Sequence, residues 1–592
     1  MAFESCDDVL AGLKRAAKDV VTPWGFEDGF RRGIAARTGV EDLAGGAVGA
    51  AADAVAKQAP GSEQSGYSGT NTHEAGVDEP DLVKTDGRRI VTVSGNTLRV
   101  IDPTTRRLTG SVSLADDAGS FGEPNLLLSG DRAMVLMPAV APFSAGVIKS
   151  FAPWTDTLVR LVTVDLAGTR PAVVGSYTID GSLVDARQVG DTARLVVRSR
   201  PRLDFPYREN ATDTQRLRAN RALIDRSTIA DWLPRWTASN GGSDNSGRID
   251  CGALRKPDAF SGTSLMTVLT FDIGGRYGTG DPTTIVADGD FVYSNGTSLY
   301  VANDQRWRLM RADLGRPAAS PADLATVIYR FDITGSGAPR FVASGSVPGN
   351  LINQYAMSEH EGHLRVAATL SQDSSSVYVL RSADMVRTGV VNGLGKGERI
   401  YAVRFVGPVG YVVTFRQTDP LYTLDLADPA APVVRGELKI NGYSSYLHPL
   451  DAGRLVGVGQ DADSQGRVSG AQISVFDVSD LREPRRVAQH RVKDGWSEAE
   501  SDPHAFLYWP DSKLLVVPMS APAHLGVLAL RVSESGLEEV GTVRHPRNET
   551  QGYEPMIRRS LIVDGTLWTI SDTGVRATDS GSMRDQAWIP YT

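Results

Sequence analysis

The chain has 592 residues and a formal net charge of −8, with 41% hydrophobic and 22% charged residues. This composition is typical of a soluble globular protein, and the acidic balance argues against a nucleic-acid binder, which would show a basic excess. No apolar run is long enough to span a bilayer. The length suggests about four ordinary domains, unless one repeat architecture absorbs most of the chain.

Residues 1–66 are predicted to form a helical extension and a linker. Ser5 and Asp8 have the spacing of a capping box, and apolar residues then recur at helical spacing up to Val20. Two more helical patterns cover about residues 27–37 and 41–58. The stretch from residue 60 is rich in Gly, Ser and Gln, which is typical of a linker. The chain begins without a signal peptide, so we expect that any leader has been removed.

The stretch 67–87, YSGTNTHEAGVDEPDLVKTDG, separates the helical region from strands that continue to the C-terminus. Its carboxylates Asp78, Glu79 and Asp81 are close in sequence, which suits a hard cation such as calcium. Alternatively, they form a solvated turn or cap backbone groups where the linker meets the first strand. Calcium is the one candidate cofactor that the sequence offers.

From Asp81 onward, one pattern recurs: an apolar strand ends in Asp, a Pro or Gly turn follows, and another strand begins. Clear copies end at Asp102, Asp165, Asp272, Asp332, Asp425 and Asp477. The period of roughly 45–55 residues is that of a four-stranded propeller blade. We therefore predict an all-β fold, a single closed β-propeller of about eight or nine blades. Each Asp is expected to be a turn residue that binds backbone N–H groups.

The pattern is interrupted over residues 201–262, where we predict a helical insertion within an early blade. Residues 212–226 have helical character, and Ser227 is predicted to cap a second helix. An insertion of this length is expected to form a satellite subdomain on the propeller.

The run GVDEPDLVKTDG at residues 76–87, with SGNTLRVID at residues 94–102, resembles the signature of the secreted β-propeller domain family of bacteria and archaea. The resemblance implies a propeller over residues 67–592 and an extracellular or cell-surface location. It also implies that the first strand of each blade lines a central channel. The family has no established activity, so the resemblance gives the architecture and not the function.

Candidate ligand-binding residues lie on the strands predicted to line the channel: Gln354, Tyr355, Tyr401, Arg404, Tyr446, His448, His504 and Arg558. Polar and aromatic groups that converge on one funnel would form a binding site. Alternatively, the large side chains fill the channel and satisfy one another. His448 and His504 could act as metal ligands or general bases only if they meet in space. The sequence lacks the serine-hydrolase elbow, the zinc-protease motif, the phosphate loop and the dinucleotide fingerprint.

Three functions fit these patterns. The first is an extracellular or cell-surface binding or scaffold propeller that recognises a protein or a carbohydrate of the cell envelope. The alternative is a secreted hydrolase or lyase with its site at the mouth of the channel. A third is a structural surface-layer component that self-associates. Since propellers host both binding proteins and enzymes, the fold does not separate these functions.

Cys6 and Cys251 are the only cysteines of the chain. Neither lies in an apolar stripe, and neither has a histidine nearby in sequence. We predict that they form one disulfide that joins the N-terminal helix to the insertion. A disulfide would indicate an oxidising compartment.

Overall fold

The computed structural model describes residues 3–26, 66–115, 119–120, 122–140, 157–206, 210–257, 263–304, 325–370, 374–416, 419–522, 524–534, 536–548 and 552–591. Within these residues the chain forms nine antiparallel sheets, each built around four strands that are consecutive in the chain or separated only by the insertion. The sheets are the blades of a propeller. The predicted fold is therefore confirmed, with nine blades.

Blade 1 contains β1 (Val83–Thr85), β2 (Ile90–Ser94), β3 (Thr97–Asp102) and β4 (Arg107–Ser113). Blade 2 begins with the short β5 (Gly119–Ser120) and contains β6 (Asn125–Ser129), β7 (Arg132–Val140), β8 (Thr157–Asp165) and β9 (Ala172–Asp180). Blade 3 contains β10 (Ser182–Val189) and β11 (Thr192–Ser199) before the insertion, and β15 (Leu265–Asp272) and β16 (Thr283–Val286) after it. The insertion itself contributes β12 (Arg235–Ser239), β13 (Asp244–Arg248) and β14 (Leu254–Arg255).

Blade 4 contains β17 (Phe291–Ser294), β18 (Ser298–Asn303), β19 (Ala325–Asp332) and β20 (Arg340–Pro348). Blade 5 contains β21 (Met357–His360), β22 (His363–Leu370), β23 (Ser374–Arg381) and β24 (Arg387–Leu394). Blade 6 contains β25 (Arg399–Val406), β26 (Val409–Phe415), β27 (Asp419–Asp425) and β28 (Val433–Ile440).

Blade 7 contains β29 (Tyr443–Asp451), β30 (Arg454–Ala462), β31 (Val468–Asp477) and β32 (Arg485–Lys493). Blade 8 contains β33 (Leu507–Trp509), β34 (Leu514–Ala521), β35 (His524–Val532) and β36 (Leu537–Val543). Blade 9 contains β37 (Ile557–Val563), β38 (Thr566–Ser571), β39 (Gly574–Asp579) and β40 (Asp585–Pro590). The first strand of each four is the innermost.

The hydrophobic core lies between neighbouring blades. Successive side chains of a strand point to opposite faces of its sheet, so a blade buried on both faces has continuous apolar strands. In β30, Leu455 packs against blade 6, whereas Val456 and Val458 pack against blade 8. This alternation explains why the second strand of each blade carries a run of apolar residues and not a pattern of apolar and polar ones.

Blade 1 packs against blade 9 and closes the ring. Val83 and Ile90 of blade 1 share one apolar cluster with Val563, Trp568 and Ile570 of blade 9. Since the two blades come from opposite ends of the propeller, this cluster joins sequence-distant parts of the chain. The predicted single closed propeller is confirmed by this contact.

The aspartates at the strand ends are turn residues, as predicted. Asp102 Oδ1 accepts hydrogen bonds from Thr104 N at 2.8 Å and from Thr105 N at 3.2 Å. The same side chain-to-backbone bond to the second residue on recurs at five further strand ends: Asp165, Asp272, Asp332, Asp425 and Asp477.

Outer strands contact the next blade through glycines. Gly436 of blade 6 lies against Leu481 O and Pro484 of blade 7, where a Cβ atom would clash with both. Gly110 meets Pro171 of blade 2 in a comparable way. Gly389 meets Pro432 in the same way, so Pro171, Pro432 and Pro484 each fit into the space that a Gly leaves on the preceding blade.

The N-terminal helix α1 (Cys6–Val20) packs on the insertion. Ser5 caps α1 by accepting from Asp8 N at 3.2 Å, as the sequence predicted. The predicted disulfide between Cys6 and Cys251 is confirmed, with Cα atoms 5.6 Å apart. Asn220 Nδ2 also donates to Thr22 O at 2.9 Å. Helices predicted over about 27–37 and 41–58 lie outside the described residues.

The insertion contains strands as well as helices. Its helix α2 (Asp213–Arg226) carries a capping box formed by Thr212 and Gln215, and the short α3 (Ile229–Trp232) follows. Ser227 is the C-cap of α2 and not the predicted cap of the second helix, because Thr228 is the N-cap of α3. Strand β12 pairs with β9 and so extends blade 2. No helix among the described residues is long and apolar enough to cross a membrane.

Candidate functional site

Residues 67–82, called the central segment below, lie in the channel of the propeller. They contact the inner parts of successive blades through hydrogen bonds: Ser68 to Ile562 of blade 9, Asn71 to Tyr446 of blade 7 and to Pro503 at the start of blade 8, Glu74 to Tyr293 of blade 4, Asp78 to Gln188 of blade 3, and Asp81 to Leu126 of blade 2. The segment therefore makes a circuit of the channel in the direction opposite to the order of the blades.

The central segment also pairs with the exposed edges of inner strands. Its isolated β-bridges are Tyr67–Val563, Asp78–Gln188 and Asp81–Leu126. An unpaired strand edge would otherwise offer free N–H and C=O groups to another chain. At three blades the central segment covers part of that edge.

Glu79 is the centre of a buried cluster of charged side chains. Its Oε1 lies 3.5 Å from Arg187 Nε, and its Oε2 lies 3.1 Å from His504 Nε2. Gln354 Nε2 donates to the same Oε2 at 3.4 Å. Because Glu79 is only 2% exposed, it needs these partners: an unpaired buried charge would be strongly destabilising.

Glu79 and Asp502 carry fixed negative charges in this cluster. Burial raises the pKa of Glu79, but Arg187 and His504 outweigh this effect and hold it at about 2. Asp502 Oδ1 lies 3.5 Å from His504 Nδ1. Burial raises the pKa of Asp502 too, but Arg559 and His504 bring it below its ordinary value. A general acid or base would instead have a pKa near the working pH, so these groups suit structure and binding better than proton transfer.

Arg559 joins the central segment to two blades. Its Nε donates to Asp81 Oδ1 at 2.7 Å, its Nη2 donates to Asp502 Oδ2, and its Nη1 donates to Glu498 Oε1 at 3.4 Å. Arg558 Nε donates to the same Glu498 oxygen at 2.6 Å. Glu79 and Asp81 thus belong to one network that runs through His504 and Asp502.

The third acidic residue of the stretch, Asp78, is paired with Lys84. Lys84 Nζ donates to Asp78 Oδ1 at 2.7 Å and to Thr70 Oγ1 at 2.6 Å. Each carboxylate of the predicted calcium site, Asp78, Glu79 and Asp81, therefore faces a cation of the chain. In the parts of the chain that the structure describes, no group of three or more His, Cys, Asp or Glu is arranged to hold a metal ion. Calcium binding there stays a prediction.

Aromatic residues surround the other half of the central segment. The His73 ring stacks on Tyr355 with centroids 4.5 Å apart, and Glu74 Oε1 accepts from Tyr293 Oη at 2.7 Å. The Arg404 guanidinium lies over Tyr355, 5.7 Å from the ring centroid. Burial, and then Arg404, lower the pKa of His73 well below its ordinary value, so this histidine is neutral at neutral pH.

Seven of the eight predicted channel residues lie near the central segment or in its charged network: Gln354, Tyr355, Arg404, Tyr446, His448, His504 and Arg558. Tyr401 instead packs against Tyr443 and Phe415, with ring centroids 4.5 and 5.6 Å away. Several of these side chains contact one another or the central segment, and ligand binding in the channel stays a prediction.

A depression of about 570 Å³ opens at the face of the ring where the inner strands end. We call it the funnel. Phe506, Tyr508 and Trp509 of blade 8 line one part of it, and residues 67–72 of the central segment line another. Lys84, His448 and His504 also line the funnel, so the two predicted histidines do share one cavity.

His448 is hydrogen-bonded to a neighbouring side chain in the funnel. Its Nδ1 lies 2.9 Å from Tyr446 Oη, and that hydroxyl accepts from Asn71 Nδ2 at 3.0 Å. The hydroxyl can therefore donate to an unprotonated Nδ1. Burial and Arg404 lower the pKa of His448 to about 3, which agrees with a neutral ring.

Sequence reasoning missed several residues of this site. It treated the acidic stretch as a surface turn or a metal site, and so overlooked Asn71, His73 and Lys84 as channel-filling groups. It also overlooked Trp509 and Arg187 because both lie at the ends of ordinary-looking strands. One signal could have found them. The stretch 67–87 is polar and has no helix or strand periodicity, and the strands predicted to line the channel carry polar and charged residues that such a stretch could contact.

Comparison with known proteins agrees with the fold. The model of the protein family described as "Beta propeller domain" matches residues 67–583. An uncharacterized protein of Methanocaldococcus jannaschii is 37% identical over 262 residues, which cover 42% of this chain and 39% of that protein. An uncharacterized protein of Archaeoglobus fulgidus is 48% identical over 162 residues, 27% of this chain and 25% of that protein. The chain thus spans well under half the length of these relatives.

Solved structures resemble the chain only weakly. The structure of a eukaryotic initiation factor covers 76% of this chain and 85% of its own, with 10% identity and a TM-score of 0.36. The β-propeller domain of the Trilobed protease from Pyrococcus furiosus covers 73% of this chain and 100% of its own, with 8% identity and a TM-score of 0.29. Neither likeness carries functional information.

Proposed function

This chain belongs to the Beta propeller domain family, and we propose that it is an extracellular or cell-surface binding propeller that recognises a protein or cell-envelope component at its funnel. The observation that carries the proposal is the occupation of the channel by the central segment. The described channel groups bind one another, and a cavity of about 570 Å³ is left at one face. That volume is within the range of roughly 300–1,000 Å³ that is usual for ligand sites.

Glu79 and His448 are poorly suited to acid or base catalysis. A hydrolase or lyase at the channel mouth would need an acid or base that titrates near the working pH within reach of its substrate. The pKa of Glu79 is about 2 and that of His448 is about 3. Both groups therefore keep one protonation state at neutral pH. A hydrolase or lyase would have to use Glu74 or Glu498 instead, because burial raises the pKa of these two acids.

The disulfide supports the proposed location. Cys6 and Cys251 are bonded to each other, and disulfides persist in oxidising compartments. Secretion remains a proposal, and fractionation of the producing cells tests it: the protein should appear in the envelope or the medium. Recovery of the native protein from the cytoplasm with free thiols would contradict the proposed location.

Binding to envelope preparations tests the function. We expect the purified protein to sediment with envelopes of the producing cells, and we expect Trp509→Ala in the funnel to reduce sedimentation at least tenfold. Trp496→Ala is the matched control, because Trp496 is 46% exposed and pairs with Ser520, at the end of β34 opposite to the end that pairs with Trp509. Absence of sedimentation, or an equal loss in both variants, would contradict binding at the funnel. Concentration-dependent self-association without envelope binding would favour the structural surface-layer function.

A further inference from the structure

We propose that the ligand of the funnel is an uncharged oligosaccharide. This inference rests on the proposed function, since it names the class of ligand that the same cavity takes. Three features of the funnel carry it: its charges are already compensated, its walls differ in polarity, and the central segment covers part of the inner strand edges of blades 9, 3 and 2, which an extended peptide could otherwise use.

The charged residues that line the funnel are paired within the chain. Lys84 Nζ lies 2.7 Å from Asp78 Oδ1, and Arg559 Nε lies 2.7 Å from Asp81 Oδ1. Asp86 Oδ2 lies 3.0 Å from Arg88 and 3.1 Å from Arg89. A phosphate or an acidic peptide would need an uncompensated cation, so the funnel fits a neutral ligand.

The walls of the funnel match the two surfaces of a sugar. Tyr508 and Trp509 are half-buried in the inner strand of blade 8, and large aromatic rings bind apolar C–H faces. The central segment also lines the funnel with Thr70, Asn71 and Thr72. Thr70 Oγ1 accepts from Lys84, Thr72 Oγ1 donates to Glu74 O, and Asn71 Nδ2 donates to Tyr446 and Pro503. The Thr70 hydroxyl proton is left as a donor, and the Thr72 hydroxyl and Asn71 carbonyl oxygens are left as acceptors. Hydroxyl and amide groups can both donate and accept hydrogen bonds, as the hydroxyl edge of a sugar requires.

An extended peptide fits the same cavity less well. Peptides that bind propeller or sheet edges add a strand through main-chain hydrogen bonds. In this chain the bridges at Val563, Gln188 and Leu126 already occupy inner-edge positions of blades 9, 3 and 2. Tyr67, Asp78 and Asp81 of the central segment make those bridges. A peptide that pairs with these three strands would have to displace them, whereas a sugar needs only the side chains. The inner strand of blade 8 (Leu507–Trp509) has no such bridge among the described residues, so peptide binding there is the competing outcome of the experiment below.

Competition with envelope polysaccharide tests the inference. The probe is the polysaccharide fraction of the producing cells, freed of protein by exhaustive proteolysis, added to the wild-type protein bound to intact envelopes. We expect it to displace the protein, and we expect the same fraction to fail after periodate cleavage of its vicinal diols. If intact envelopes bind the protein but the digested fraction does not compete, the sugar inference is overturned and the proposed function stands. If intact envelopes do not bind at all, the proposed function itself fails.

Two further measurements sharpen the result. Trp509→Phe should keep most of the affinity that Trp509→Ala loses, because the smaller aromatic ring still offers a stacking face; equal losses would contradict the stacking role. Affinity for the polysaccharide should also be unchanged within twofold between about 0.05 and 0.5 M salt, since screening acts on charged ligands. A steep fall in affinity with salt would overturn the claim that the ligand is uncharged.

Discussion

Asp81 and Arg559 are 478 positions apart and form a buried ion pair, in which Arg559 Nε donates to Asp81 Oδ1 at 2.7 Å. Asp81 is the residue at which the central segment reaches blade 2, and Arg559 lies on the inner strand of blade 9. The pair therefore connects the two ends of the propeller inside the channel. The apolar cluster between blades 1 and 9 connects them outside the channel.

Removal of this pair should destabilise the ring. Both side chains are 4% exposed, and loss of one partner leaves the other buried without its counter-charge. We expect Asp81→Asn to lower the free energy of unfolding by roughly 3–5 kcal/mol, measured by denaturant unfolding. Asp384→Asn is the control, because Asp384 and its partner Arg381 are 44% and 51% exposed, and solvent screening should make its effect much smaller than that of Asp81→Asn. Equal effects in the two variants would mean that the buried pair does not hold the ring.

Acidification should lower the stability of the protein in two pH windows, with His545 contributing to the upper window and Glu79 to the lower one. The pKa of His545, lowered mainly by burial, is about 3 in the folded state against an ordinary value near 6.5. The unfolded state therefore binds this proton first, and stability falls as the pH drops from about 6.5 to 3. The pKa of Glu79 is about 2 in the folded state against an ordinary value of about 4.3. The stabilisation from its ionised carboxylate is therefore complete above about pH 4.3 and is lost as the pH falls towards 2.

Thermal or denaturant unfolding across pH checks these two windows. We expect His545→Gln to reduce the slope of unfolding free energy against pH by up to about 1.4 kcal/mol per pH unit above pH 4.5. Glu79→Gln should reduce this slope only below pH 4.5. Each variant serves as the control for the other. Parallel pH profiles for wild type and both variants would contradict the assignment.

The glycine contacts between blades should not tolerate a Cβ atom. At Gly436 a Cβ would clash with Leu481 O and lie 2.9 Å from Pro484 Cδ. We expect Gly436→Ala to cost about 1–3 kcal/mol of stability, as overpacked sites do. Gly278→Ala has open space around the added Cβ and should be neutral within about 0.5 kcal/mol. A neutral Gly436→Ala would show that the blades are spaced more loosely than described.

The calcium hypothesis from the acidic stretch has a direct test. Lys84, Arg187 and Arg559 lie against the three carboxylates, so we expect excess chelator to leave the melting temperature of the wild-type protein unchanged. A bound ion would stabilise the folded state by its binding energy. A lower melting temperature in chelator, restored by added calcium, would therefore establish a calcium site.

The repeat explains why the architecture could be predicted. Aspartates such as Asp102 recur because each blade needs the same turn, and apolar pairs such as Leu455 and Val456 recur because each blade is buried on both faces. Because every blade repeats these two features, they recur in the sequence at the length of one blade. The disulfide could be predicted because Cys6 and Cys251 are the only cysteines.

The site was harder to predict because its contacts have no period. Glu79 meets His504 across 425 positions, and nothing in the local sequence of either residue indicates the other. A carboxylate that pairs with a buried arginine looks the same in sequence as one that binds calcium. Tyr401 shows the opposite error: its strand lines the channel, but its ring lies in a separate aromatic cluster with Tyr443.

Hydrogen exchange of the central segment tests the central claim, that residues 67–82 are an integral part of the ring. The amides of Ser68, Asp78 and Asp81 donate to blades 9, 3 and 2. Mass-spectrometric exchange of peptides from this segment should therefore show protection as strong as that of the inner strands, because these amides open only when the ring opens. Exchange of the segment within seconds, while the strands stay protected, would contradict the account.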